Sequence, residues 1–135
     1  MDLSDLLDQA ENGYQIPCQK ENGDIDLFAK SYSGDTLLHV AVVRKCLKEI
    51  RFLVEEGLDI DARGDFWETP LYVAVSTGDI ALIAILLKLG ADPKIPNHLG
   101  VLPGDLFFEQ MKKWTDVFVE DLHILCEKLN SRVNQ

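Results

Sequence analysis

The sequence predicts an all-α solenoid: stacked helix–turn–helix units with projecting loops, closed by a helical cap at each end. Two observations predict it. A block of sequence recurs after 33 residues and stays in register without a gap. Each copy also carries the residues that start and stop two short helices. A unit of this kind cannot bury its apolar faces alone, whereas stacking neighbours at a fixed period buries them continuously. The chain's 135 residues suit one such domain, and an apolar content of 47% can supply its core.

Residues 1–28 read as the N-terminal cap. Leu3, Leu6, Leu7 and Ala10 recur at helical spacing, with Asp2, Asp5, Asp8 and Glu11 on the other side. Asn12-Gly13 ends that helix. Ile16-Pro17 argues for a break, and the stretch from Tyr14 to Gly23 is ambiguous between elements.

Residues 29–62 and 63–96 are the two repeats. Gly34-Asp35-Thr36-Leu37-Leu38-His39-Val40-Ala41-Val42 aligns with Trp67-Glu68-Thr69-Pro70-Leu71-Tyr72-Val73-Ala74-Val75. In the same register Leu47 falls on Ile80, Ile50 on Ile83, Leu53 on Leu86, Gly57 on Gly90 and Asp59 on Asp92. Thr69 can cap a helix with its hydroxyl, and Pro70 fits the first helical position, where no N–H is needed. Leu71, Ala74 and Val75 make this first helix apolar. Gly78 can take the left-handed conformation that ends it, and Asp79 can cap the next. Ile80, Leu82, Ile83, Ile85, Leu86 and Leu87 build a second, more apolar helix, which Gly90 ends. Ala91-Asp92-Pro93 leads into an extended segment and a turn.

Residues 97–135 read as a degenerate repeat and C-terminal cap. Gly100 continues the series from Gly34 and Trp67, and Pro103 continues from Pro70. Phe107 stands where the repeats have Ala41 and Ala74, so packing should change at the end of the stack. A long helix is expected from about Thr115 to Asn130, with Val117, Phe118, Leu122, Leu125 and Leu129 as its apolar stripe.

The motif Gly34-Asp35-Thr36-Leu37-Leu38-His39-Val40-Ala41, with Thr69-Pro70-Leu71-Tyr72-Val73-Ala74, Gly78-Asp79 and Leu86-Leu87-Lys88-Leu89-Gly90-Ala91-Asp92-Pro93, resembles the ankyrin repeat family. The resemblance is specific over residues 29–96, weaker in the third unit and only architectural at the N-terminus. Several positions depart from the family pattern. Leu37 replaces the usual Pro, Tyr72 the usual His, and Trp67 the usual loop Gly. Glu49 takes a usually apolar position, and Lys45 stands where the next repeat has Gly78. A left-handed Lys45 would be strained by roughly 1–2 kcal/mol.

In this family partners usually dock on the concave side, formed by the loop tips and the first helix of each repeat. By position, the resemblance implies Tyr32, Ser33, Asp35, Val43 and Arg44 from the first repeat. The second contributes Arg63, Asp65, Phe66, Trp67, Glu68, Ser76 and Thr77, and the third His98, Leu99 and Glu109. Adjacent aromatics at a loop tip are costly to leave in water, and aromatics are enriched in binding hot spots. At least one of Phe66 and Trp67 should pack inward, Trp67 in preference because it sits at the usual Gly position. Ala81 and Ala84 occupy positions often charged in the family and would leave a weakly apolar convex patch, although good helix formers at a surface explain them better.

The formal net charge of −10 marks an acidic protein. Such an excess argues against a nucleic-acid or anionic-membrane surface. It favours a basic partner or serves solubility. Cys18, Cys46 and Cys126 are odd in number and widely spaced, as expected of reduced thiols in the cytoplasm. The acidic start has no apolar signal core, and the apolar run Ile80 to Leu87 is too short to span a bilayer. No phosphate-binding Gly-rich loop, GxSxG elbow or HExxH motif occurs. His123 and Cys126 could form half a metal site, but no second half lies nearby in sequence. Glu55-Glu56 and Glu120-Asp121 read as solvated helix faces. No cofactor, metal or small-molecule substrate is expected. A catalytic reading would require a pocket joining His39 or His98 to carboxylates.

Two functional readings follow, both of a non-catalytic protein-binding module that is monomeric when free. In the first it is an inhibitor, such as an immunity protein that neutralises a basic toxin or effector enzyme, for which an acidic surface is complementary. In the second it is an adaptor or regulatory subunit of a protein complex.

Overall fold

The computed structural model describes residues 3–13, 22, 23 and 25–113. The amphipathic start forms α1 (Leu3–Gly13). Leu6, Leu7 and Ala10 are buried, and α1 packs on α2 (Leu37–Val43). The first repeat is completed by α3 (Leu47–Glu55). The second consists of α4 (Pro70–Thr77) and α5 (Ile80–Lys88), and α6 covers residues 103–113. Helix α2 is central, touching α1, α3 and the equivalent helix α4. One core runs through the stack, with Leu37, Leu38, Ile50, Leu53, Leu82 and Leu86 essentially inaccessible to solvent. Each such side chain contributes about 1.5–3 kcal/mol by leaving water.

The caps form as local chemistry dictates. Thr69 Oγ1 accepts the Tyr72 N–H at 3.2 Å. Asp79 Oδ1 accepts from Ala81 and Leu82. Gly78 ends α4 with a φ of 73°, a conformation a Cβ would oppose. In the first repeat that conformation falls to Lys45, with a φ of 58°. Its ammonium lies 3.7 Å from Asp79 Oδ2, an exposed pair that contributes about 0–1 kcal/mol. Glu49 is buried despite its charge, beside Cys46. Burial, followed by the Glu49 charge, pushes the Cys46 thiol up, so it stays protonated.

Loops project between the helices. Lys30 and Thr36 form an isolated antiparallel bridge, and the Ser31 N–H donates to the Asp35 carbonyl at 2.8 Å. Side chains then tie each loop to the next. Asp35 Oδ1 accepts the Asp65 N–H at 2.8 Å, and Asp61 Oδ1 accepts the Asp92 N–H at 2.9 Å. At the far end of the stack Phe107 is half-buried. A wholly apolar gap of about 220 Å³ remains beside it, lined by residues including Leu71, Ile83, Leu87 and Gly104. Phe107 is thus half-buried where Ala41 and Ala74 are fully buried in the two repeats. The helix expected from about Thr115 to Asn130, the pair His123 and Cys126, and Cys18 lie outside the described residues.

Candidate functional site

The loop between the repeats determines how the site is built. Residues Asp65–Trp67 form a single 3-10 turn. Phe66 and Trp67 both take left-handed backbone conformations, with φ of 54° and 58°. Gly34 and Gly100, one repeat before and after Trp67, have φ of 96° and 79°. Trp67 therefore adopts the glycine conformation while carrying the largest side chain, at a strain of roughly 1–2 kcal/mol.

This backbone corrects the expectation that one aromatic folds inward. Phe66 is 58% exposed and Trp67 is 59% exposed. Neither ring is buried in the core, and each rests on a neighbouring side chain. The Trp67 ring lies under the Arg63 guanidinium, 5.7 Å from its centroid, and the Phe66 ring rests 5.2 Å from that of His98. The Phe66 carbonyl accepts from the His98 backbone N–H and from Nδ1–H, each at 3.0 Å. His98 thus fixes the loop as well as flanking the aromatic.

Below the turn, α2 and α4 leave a groove of about 290 Å³. Val40, Val43, Val73 and Phe66 form its walls, and Asp35, Asp65 and Glu68 carry carboxylates there. No ion pair to any of these three occurs among the described residues. The Glu68 carboxyl is pushed up, first by burial and then by the charges of Asp65 and Asp35, with His98 opposing.

The groove also brings His39 among carboxylates, the arrangement a catalytic reading requires. Both ring nitrogens are already committed. Nδ1 accepts the Thr36 backbone N–H at 3.1 Å and contacts Thr36 Oγ1 at 2.9 Å. Nε2–H donates to the Glu68 carbonyl at 2.9 Å. The ring is buried and spans two repeats, so it holds loops together and has no lone pair or proton to offer a substrate.

Of the residues expected at a binding surface, Asp35, Val43, Asp65, Phe66 and Glu68 meet at this groove. His98 rests on the Phe66 ring at its edge, whereas Arg63, stacked on Trp67, lines a separate groove with Lys30, Asp59 and Asp61. Tyr32 projects fully into solvent, and Leu99 and Glu109 are exposed. Ser33 Oγ lies 3.0 Å from Ser31 Oγ within its own loop. Ser76 and Thr77 turn their hydroxyls back onto the Val73 and Ala74 carbonyls, each at 2.7 Å. Arg44 is exposed at the end of α2. None of these last residues lines the groove. Val40 and Val73 do line it, and the expected surface omitted them. They occupy the same position of successive repeats, and that shared register was the available signal. On α5, Ala81 and Ala84 are exposed together with Ile80 and Leu87, so its exposed surface is more apolar than the alanines alone imply.

Residues 38–87 match the family model described as ankyrin repeats (many copies). Over 86 residues the chain is 37% identical to the human protein phosphatase 1 regulatory subunit 27, a stretch covering 64% of this chain and 56% of that protein. It is 38% identical over 80 residues to the mouse B-cell lymphoma 3 protein homolog, covering 58% of this chain and 18% of the other. A 65-residue stretch is 37% identical to the Saccharomyces cerevisiae probable 26S proteasome regulatory subunit p28, covering 48% and 28%. The chain thus spans little more than half of the phosphatase subunit it resembles, and less of the other two. No helix among the described residues is long and apolar enough to cross a membrane.

Proposed function

We propose that this chain, which belongs to the ankyrin repeat family, regulates a partner protein by binding it through the Phe66–Trp67 loop tip and the groove beneath. The family is one of protein-binding modules. The observation that carries the reading is the paired left-handed backbone at Phe66 and Trp67. Strain of this kind costs stability and persists where the surrounding structure holds it, which is characteristic of functional sites. Here it holds two aromatic rings in water, and buried aromatics supply much of the energy of protein interfaces. That two similar proteins are named regulatory subunits supports regulation over mere tethering.

The net charge of −10 and the carboxylates of the groove favour a second reading, an inhibitor that occupies the basic active surface of a toxin or effector enzyme. One experiment tests both. The tagged chain and its Phe66→Ala/Trp67→Ala variant, checked for folding by circular dichroism, are used to capture partners from native lysate for mass spectrometry. A partner lost with the variant supports the site, and a partner retained by it refutes the site. The partner's activity with and without the chain then separates a regulator from a stoichiometric inhibitor.

A further inference from the structure

We infer that the groove between α2 and α4 receives one lysine or arginine side chain from the partner, with the aliphatic stem against the valines and the cationic head at the carboxylates. The inference rests on the binding face proposed above and names the chemistry that the face selects. The walls are apolar: Val40 and Val43 from α2, Val73 from α4, and the Phe66 ring. A long unbranched stem covers such surface while its charged head reaches out of it. The three carboxylates are placed where that head would arrive, and two of them act as fixed parts of the loop. Asp35 Oδ1 holds the Asp65 N–H, and Asp65 Oδ1 holds the Phe66 N–H. Each of these carboxylates keeps a second oxygen, and Glu68 makes no side-chain hydrogen bond among the described residues.

The neighbouring cation does not satisfy the charge. Arg63 lies over the Trp67 ring and does not line the groove. His98, which only partly opposes the rise at Glu68, is engaged with the Phe66 carbonyl and ring. Burial, followed by repulsion from the Asp65 and Asp35 charges, pushes the Glu68 carboxyl up. An incoming cation relieves that repulsion. A neutral apolar side chain would cover the valines and leave the carboxylates without counter-charge, and an acidic one would be repelled. The aromatic wall adds a face on which a guanidinium can stack.

The test uses the intact chain and a defined probe, N-acetyl-arginine methylamide, titrated while backbone amide signals are followed by NMR. The isosteric citrulline compound, which is neutral, is the control. Saturable shifts at Gly64, Asp65, Phe66 and Glu68 are expected, with a Kd on the order of 1 mM for a ligand of this size. Citrulline should give none, and Asp65→Asn/Glu68→Gln should weaken arginine at least fivefold while the spectrum stays dispersed. Equal response to citrulline, shifts spread over the surface, unchanged binding by the variant, or no saturation for arginine would each overturn the inference. The binding face itself stands or falls separately, on capture by the Phe66→Ala/Trp67→Ala variant.

Discussion

Tyr72 follows His39 by one repeat, and each side chain reaches from its own helix to the next loop, but the two do so by different chemistry. His39 donates to a backbone carbonyl, that of Glu68. The Tyr72 hydroxyl instead accepts from the Asn97 side chain, Nδ2–H, at 3.0 Å. Asn97 occupies the position held by Gly64 in the previous loop. Its Oδ1 accepts the Leu99 and Val101 N–H groups at 3.0 and 2.9 Å, so one buried amide organises the third loop and ties it to the second repeat. Tyr72→Phe keeps the ring and removes the acceptor. An unsatisfied buried donor costs about 1–3 kcal/mol, and urea denaturation should show that loss. A variant as stable as the parent would mean that Asn97 finds another partner.

Gly64 is required where Asn97 is tolerated, because the first interface is tighter. A Cβ at position 64 would collide with Asp35 Oδ1 and His39 Nε2, the two groups that join the first loop to the second. Gly64→Ala should therefore disturb both bonds and cost about 1–3 kcal/mol, as overpacking does. The same denaturation measurement checks it. An accompanying loss of the Asp65 amide's protection from exchange would localise the damage to the Asp35 bond.

The helices and caps were legible because their chemistry is local. Thr69, Pro70, Gly78 and Asp79 act on groups within a few residues of themselves, so type and spacing suffice to read them. The glycine series likewise marked Trp67 as standing at a glycine position, and the register predicted strain at Lys45. The groove was legible only in part. Val40 and Val73 both carry the repeat motif, but Val40 is fully buried at the base of the groove whereas Val73 is only half-buried there. The exposed rings of Phe66 and Trp67 sit on two consecutive left-handed residues, and only one had a glycine counterpart to signal it. The crowding at Gly64 depends on groups that are distant in sequence and meet only when repeats stack.

Stability should fall on mild acidification through His39. Burial lowers its pKa below the ordinary value, outweighing the bond to the Glu68 carbonyl and the charge of Asp35, both of which raise it. The unfolded chain therefore binds more protons than the folded one once the pH drops below the ordinary imidazole value of about 6.5. The stabilising contribution is present above that value and is lost as the pH falls below it. Comparing denaturation midpoints of the parent and His39→Gln between about pH 7.5 and pH 5.5 isolates this residue from other histidines. The difference between them should narrow as the pH falls, whereas parallel profiles would exclude His39 as the source.

Trp67→Gly separates folding from binding. At its φ of 58° the indole is strained by roughly 1–2 kcal/mol, which glycine would relieve. Glycine also has more backbone freedom to lose on folding, a penalty of roughly 0.5–1 kcal/mol. The stacked Arg63 guanidinium, an exposed contact, is worth about 0.5–1 kcal/mol. These opposing effects predict a variant about as stable as the parent, within about 1 kcal/mol. If Trp67 is held outward for recognition, the same variant should capture its partner at least tenfold more weakly, about 1.4 kcal/mol. A folded variant with unchanged capture would leave the strain at Trp67 without a binding role. A variant that fails to fold would show that the indole supports the loop. Only stability retained with binding lost fits a residue whose strained conformation serves the interface.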